Sequence, residues 1–86
     1  MKNMSQKIKD ELLLALSKEI RYLIANGYTQ KYIAKIAQIT QPLVSKLQAN
    51  MVVAHGVLSI DRIIDIFSRL GKSVILDTSQ LIVSVF

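Results

Sequence analysis

Apolar residues recur at every third or fourth position early in the chain: Ile8, Leu12, Leu16, Ile20, Leu23 and Ile24. That period marks one face of an α-helix. Ser5 is the expected cap, with residues 1–4 frayed ahead of it. Asn26-Gly27 ends the pattern, with Gly27 as a left-handed stop. Leu13 and Leu14 widen the stripe and predict contact on more than one side.

Residues 29–50, TQKYIAKIAQITQPLVSKLQAN, repeat the period in two short bursts. Thr29 can cap the first by accepting a hydrogen bond from a backbone N–H near Lys31 or Tyr32. Ile33, Ala34 and Ala37 share one face, and Ala34 is small enough for a second helix to approach closely. Gln38-Ile39-Thr40 forms the connection, with Ile39 as its apolar plug and Thr40 as the second cap. Pro42 falls in the first turn, where its missing N–H costs nothing. Val44 and Leu47 turn inward, which leaves Gln41, Ser45 and Lys46 outward. Two helices around a tight turn, with polar and cationic groups at the start of the second, suit a DNA groove.

After residue 50 the pattern changes. Residues 51–57, MVVAHGV, read as an apolar loop that contains the lone histidine, His55. Ser59 caps a further helix, with Asp61 in its first turn. Ile60, Ile63, Ile64, Phe67 and Leu70 form its inward face, and Gly71 stops it. Residues 73–76 and 81–86 read as strands around the turn-forming Asp77-Thr78-Ser79-Gln80. Their apolar positions are consecutive, which is the pattern of strands covered on both faces. The expected fold is mostly α, about four helices with a C-terminal β-hairpin over residues 72–86, all in one domain.

The positions Gln30, Ile33-Ala34, Ala37, Ile39, Val44 and Leu47 resemble the helix-turn-helix of Cro/Xre-type repressors. Residues 40–47, TQPLVSKL, resemble more narrowly the HigA-type antitoxins and small Xre repressors. Residues 58–65 and 70–74 also resemble that subgroup, so the likeness spans about residues 12–76. Gln38 departs from it, because the family usually has glycine in that turn. The likeness implies a lambda-repressor-like domain whose Gln41, Pro42, Ser45 and Lys46 face the major groove. It also implies that Thr29, Gln30 and Lys31 touch the DNA backbone, with Thr40 and Asn50 as further backbone contacts. Gln41 is the leading base reader, since its amide can pair bidentately with adenine. Lys46 either reads guanine or neutralises phosphate.

Charge changes the picture more than composition does. Residues 1–50 carry eight Lys or Arg and three Asp or Glu, whereas residues 51–86 carry three of each. The whole net charge of +5 therefore sits in the half holding the two short helices, as phosphate binding predicts. A lysine-rich solvated surface gives the same count, so the motif is what directs the reading. Lys7, Lys9 and Lys18 are expected in solvent, and Arg21 is the extra phosphate candidate.

Other chemistries find little support. The chain has no cysteine and one histidine, so neither a metal site nor a disulfide frame is expected. Asp61 and Asp65 are one helical turn apart and are expected on a solvated face, pairing with Arg62 or Arg69. No glycine-rich phosphate loop is present, so neither an enzyme nor a cofactor is expected. The longest early apolar run, residues 12–16, is too short for a membrane span. The expected location is the cytoplasm.

At 86 residues the core is small, and oligomerisation is a common remedy. Val74, Leu76, Leu81, Val83, Val85 and Phe86 are the candidate dimerisation residues. The alternative is a hairpin packed on Ile63 and Phe67 within one chain, with dimerisation through the long first helix or none at all. The expected partners are double-stranded DNA and a second copy. The HigA likeness adds a toxin protein as a third.

Overall fold

The structure, a computed structural model, describes residues 4–49, 56–77, 79–80 and 82–86. Asn50, the stretch 51–55 with His55, and Leu81 were singled out in the sequence and lie outside the described residues. The described elements run in order: α1 (Met4–Ala25), α2 (Gln30–Ala37), α3 (Gln41–Gln48), α4 (Ile60–Arg69), β1 (Val74–Asp77) and β2 (Ile82–Val85). The fold is mostly α with a C-terminal antiparallel hairpin. Among the described residues no helix is long and apolar enough to cross a membrane.

The core forms where the stripes meet. Ile8, Leu12, Leu16 and Ile20 of α1 share one buried cluster with Ile33, Ala34 and Ala37 of α2 and Val44 and Leu47 of α3. Leu58, Ile63, Ile66 and Phe67 complete the cluster. Each large side chain fully buried there contributes roughly 1.5–3 kcal/mol. α1 packs on α3, α4 and β2, which accounts for its widened stripe. Leu13 packs on the core, but Leu14 is exposed. α1 also runs through Ser5 instead of starting after it. Its neighbours are good helix formers, and an interior serine costs only about 0.5 kcal/mol. In α4 the inward face is centred on Ile63, Ile66 and Phe67, all fully buried. Ile66 was not foreseen there, and Ile64 is only half-buried.

Three helices end in the same way. Past the end of each, an N–H bonds the carbonyl five residues back: Tyr28 to Leu23 at 3.1 Å, Ile39 to Ala34 at 3.0 Å, Lys72 to Phe67 at 2.9 Å. The residue before each donor is left-handed, with φ of +98° at Gly27, +57° at Gln38 and +80° at Gly71. This is the Schellman arrangement. Glycine takes it without strain, whereas glutamine is penalised by its Cβ.

The hairpin pairs Val74 with Val85, Ile75 with Ser84, Leu76 with Val83 and Asp77 with Ile82. Reciprocal bonds between Ser73 and Phe86, at 3.0 and 2.9 Å, extend the ladder. Asp77 ends β1 and also anchors the turn, because its Oδ1 accepts from Ser79 N–H, Ser79 Oγ and Gln80 N–H. Alternation divides the two faces. Val74, Leu76, Val83 and Val85 pack on the chain's own core. Ile75, Ile82 and Phe86 are exposed. Four of the six residues expected at a dimer interface therefore face inward, and Phe86 alone of the five described is outward. The intrachain packing runs through α1 and α4, the helix of Ile63 and Phe67.

Two buried polar atoms stand out. Ser17 is buried at 1% exposure with no hydrogen-bond partner for its hydroxyl. Glu19 Oε1 is buried too, with Lys72 Nζ at 3.8 Å.

Candidate nucleic-acid interface

Local chemistry sets both short helices. Thr29 is extended and its hydroxyl accepts the Tyr32 N–H at 3.1 Å, which caps α2. Thr40 does the same for α3, accepting the Leu43 N–H at 3.3 Å. Each cap satisfies an amide that a helix start leaves unpaired, an effect worth about 1 kcal/mol. Pro42 lies in the first turn of α3. Ile39 packs on the core from the connection, as its plug role requires.

With Val44 and Leu47 buried, the opposite side of α3 is committed to solvent. Gln41, Pro42, Ser45 and Lys46 are all exposed, as are Thr29, Lys31 and Thr40. The structure thus brings the four expected groove residues onto one face. Residues 29–49 contain three lysines and no acid, so nothing within the motif neutralises them. Arg21 is exposed on α1.

Gln30 differs from expectation. It is half-buried, and its Nε2 donates to Gln48 Oε1 at 2.6 Å. The bond ties the start of α2 to the end of α3, so this amide serves first as a brace between the helices. Nothing in the local sequence signals it, because the partners are eighteen residues apart.

A second contact fixes the turn from outside the motif. Arg62 Nη2 donates to the Gln38 carbonyl oxygen at 2.6 Å, while Nη1 bonds Asp65 Oδ2 at 2.7 Å. Arg69 Nε bonds the same Oδ2 at 2.9 Å. Asp65 therefore pairs with both arginines expected of it. Its carboxyl is held below the ordinary 3.8, chiefly by the Arg69 hydrogen bond; desolvation opposes this, and the charges of Arg69 and Arg62 add to it. Beside the turn lies an open groove of about 590 Å³. Gln38, Thr40, Pro42, Lys46, Ser59 and Arg62 contribute to its walls.

No family model, curated protein or solved structure matches the chain. The residues alone therefore carry any functional assignment.

A smaller pocket, about 140 Å³, lies between α1, α2 and the end of α4. Leu23, Tyr28, Tyr32, Ile36, Arg69 and Leu70 line it. The two tyrosine rings stack with centroids 5.5 Å apart, and both are exposed. Nothing in the sequence assigns these rings a role. Tyr28 lies just ahead of the Thr29 cap and Tyr32 in the first turn of α2, so no helical repeat pairs them and the sequence carried no direct signal of the stack.

Proposed function

We propose that this protein is a sequence-specific DNA-binding repressor of the Cro/Xre type, acting in the cytoplasm as a homodimer and not as an enzyme. The observation that carries the reading is the exposed side of α3: two amide- or hydroxyl-bearing residues and a lysine, in an acid-free motif. Gln41 is the base reader, paired with adenine, and Ser45 and Lys46 lie one helical turn further along. Thr29, Lys31 and Thr40 hold the DNA backbone, and Lys31 supplies charge there.

The hairpin supplies the second copy. Its outer face presents Ile75, Ile82 and Phe86, with exposures of 57%, 47% and 66%. A two-stranded ladder also leaves strand edges with unpaired backbone groups. A two-fold partner offering the same strand would cover both through an isologous contact.

Selection of bound DNA from a random pool tests the reading, with the purified protein's mass measured in solution. The expected outcome is a dimer and an inverted repeat whose half-site centres lie about 34–36 Å apart. Recovery of no preferred sequence would sink sequence-specific repression. A single asymmetric half-site would remove the dimer.

A second reading, an antitoxin that also binds a toxin protein, draws on the Tyr28–Tyr32 pocket. Exposed aromatic rings beside Leu70 and Arg69 suit a protein contact. Co-purification with the product of an adjacent gene, lost on Tyr32→Ala, tests it.

A further inference from the structure

We propose that Arg62 is a positioning residue for α3, a clamp from α4 that holds the helix-turn-helix connection in its left-handed form without touching DNA. The proposal deepens the DNA-binding reading and rests on it for the role of α3.

The three helix stops differ in the residue that takes positive φ. Gly27 and Gly71 adopt positive φ freely, but the stop inside the motif is Gln38 at φ +57° and ψ +46°. A residue with a Cβ is disfavoured there. The angle between α2 and α3 depends on this residue, because it is the pivot between Ala37 and Ile39. Something outside the turn can offset the penalty, and Arg62 is placed to do so. Its Nη2 bonds the carbonyl of Gln38 itself, from twenty-four residues away.

The guanidinium is itself fixed. Nη1 is held by Asp65, and Asp65 is held in turn by Arg69 one helical turn on. The backbone of Arg62 is fixed too, since its N–H donates to the Ser59 cap at 3.1 Å. An arginine oriented on two sides presents a directed donor to a carbonyl, which a lysine ammonium does less well. Arg62 also lines the groove with Lys46, so a phosphate ligand is the rival role. With both terminal nitrogens engaged inside the protein, the geometry favours the clamp.

The test is a cycle of Arg62→Met and Gln38→Gly in the full chain. Glycine removes the strain that the clamp offsets, so it makes the clamp dispensable. Hydrogen exchange at the Ile39 amide reads the turn directly, and the equivalent amides of Tyr28 and Lys72 serve as internal controls. In Arg62→Met, exchange at Ile39 is expected to rise about tenfold relative to those two, the scale of one lost hydrogen bond from a charged group at a half-open site. In the double variant that rise is expected to vanish. Operator affinity is expected to fall about tenfold in Arg62→Met with an unchanged salt slope, and to recover in the double variant. Equal acceleration at all three amides would overturn the clamp. So would an affinity loss that persists in the double variant with a salt slope shallower by about one, which marks a phosphate ligand. If the wild-type protein binds no DNA, the functional reading fails, and the exchange cycle alone still decides whether Arg62 holds the turn.

Discussion

The outer side of α3 and the outer side of the hairpin are opposite solutions to being exposed. Gln41, Ser45 and Lys46 offer hydrogen bonds and charge, and water satisfies them fully in the free protein. Ile75, Ile82 and Phe86 offer only apolar area, which water does not favour. Both elements bury their inner sides in the same core. The difference therefore comes from the outward residues alone. A polar face can wait in solvent for a polyanion, but an apolar face favours permanent cover. On the proposed reading, the first suits a transient contact and the second an obligate one, separated by element.

The largest effect should come from spoiling the apolar side. Ile75→Lys with Ile82→Lys leaves Val74, Leu76, Val83 and Val85 on the core. The variant is expected to keep its helical signal and sediment as a monomer. Its operator affinity is expected to fall on the order of 100-fold or more, because two half-sites are no longer linked. A variant that still dimerises with unchanged affinity would defeat the hairpin interface. Point changes are cleaner than truncation after Asp77, which would also strip Val83 and Val85 from the core.

Changes on the polar side should be smaller and should leave the dimer intact. Gln41→Ala is expected to cost about 1–3 kcal/mol and to relax preference at one base position. Lys31→Ala should weaken all sequences alike and reduce the salt slope by about one. Titrations against matched and scrambled sites separate the two. If neither variant alters binding, α3 does not lie in the groove.

A change that touches neither face sharpens the contrast. Ser17→Ala removes a buried hydroxyl that has no partner. Stability in urea should rise by about 1 kcal/mol, with dimerisation and DNA affinity unchanged. A loss of stability would show that the hydroxyl is satisfied in solution.

The smallest effect is that of acid. Asp65 beside the turn and Asp77 at the hairpin both titrate below their ordinary value of 3.8. For Asp77 the Ser79 hydroxyl is the main cause, with the Gln80 and Ser79 amides adding to it against desolvation. A depressed carboxyl contributes stability that is complete above the unfolded value and is lost as pH falls through the lower folded one. Stability should therefore be flat in this respect at neutral pH and decline below about pH 3.8. Asp65→Asn and Asp77→Asn should each make that decline shallower. An unaltered acid limb in both would show that these carboxyls do not contribute.

What the sequence revealed was mostly local. The caps at Thr29, Thr40 and Ser59 each act within three residues, and so each was readable from side-chain type alone. The same holds for the stops at Gly27 and Gly71 and for the stripe of α1. The outward set on α3 followed from helical period once Val44 and Leu47 were assigned inward. What was missed depends on tertiary placement. The Gln30–Gln48 brace and the Arg62–Gln38 bond span eighteen and twenty-four residues, and no periodicity encodes them. In the hairpin, the run of apolar residues hid which alternate set faces the core. Only the position of β2 on α1 decides that, which is why Val74, Leu76, Val83 and Val85, expected at an interface, pack on the chain's own core instead.

That seating of β2 on α1 has a consequence for synthesis. The helix α1 is completed by β2, a strand that leaves the ribosome well after it. At about 5–20 residues per second, the ribosome needs roughly 3–11 s to travel from the end of α1 to the start of β2. Throughout that interval the part of α1 that receives β2 has no cover, and the nascent chain is most open to capture by chaperones or by its neighbours. Slowing translation late in the message should therefore harm yield more than slowing it within α1.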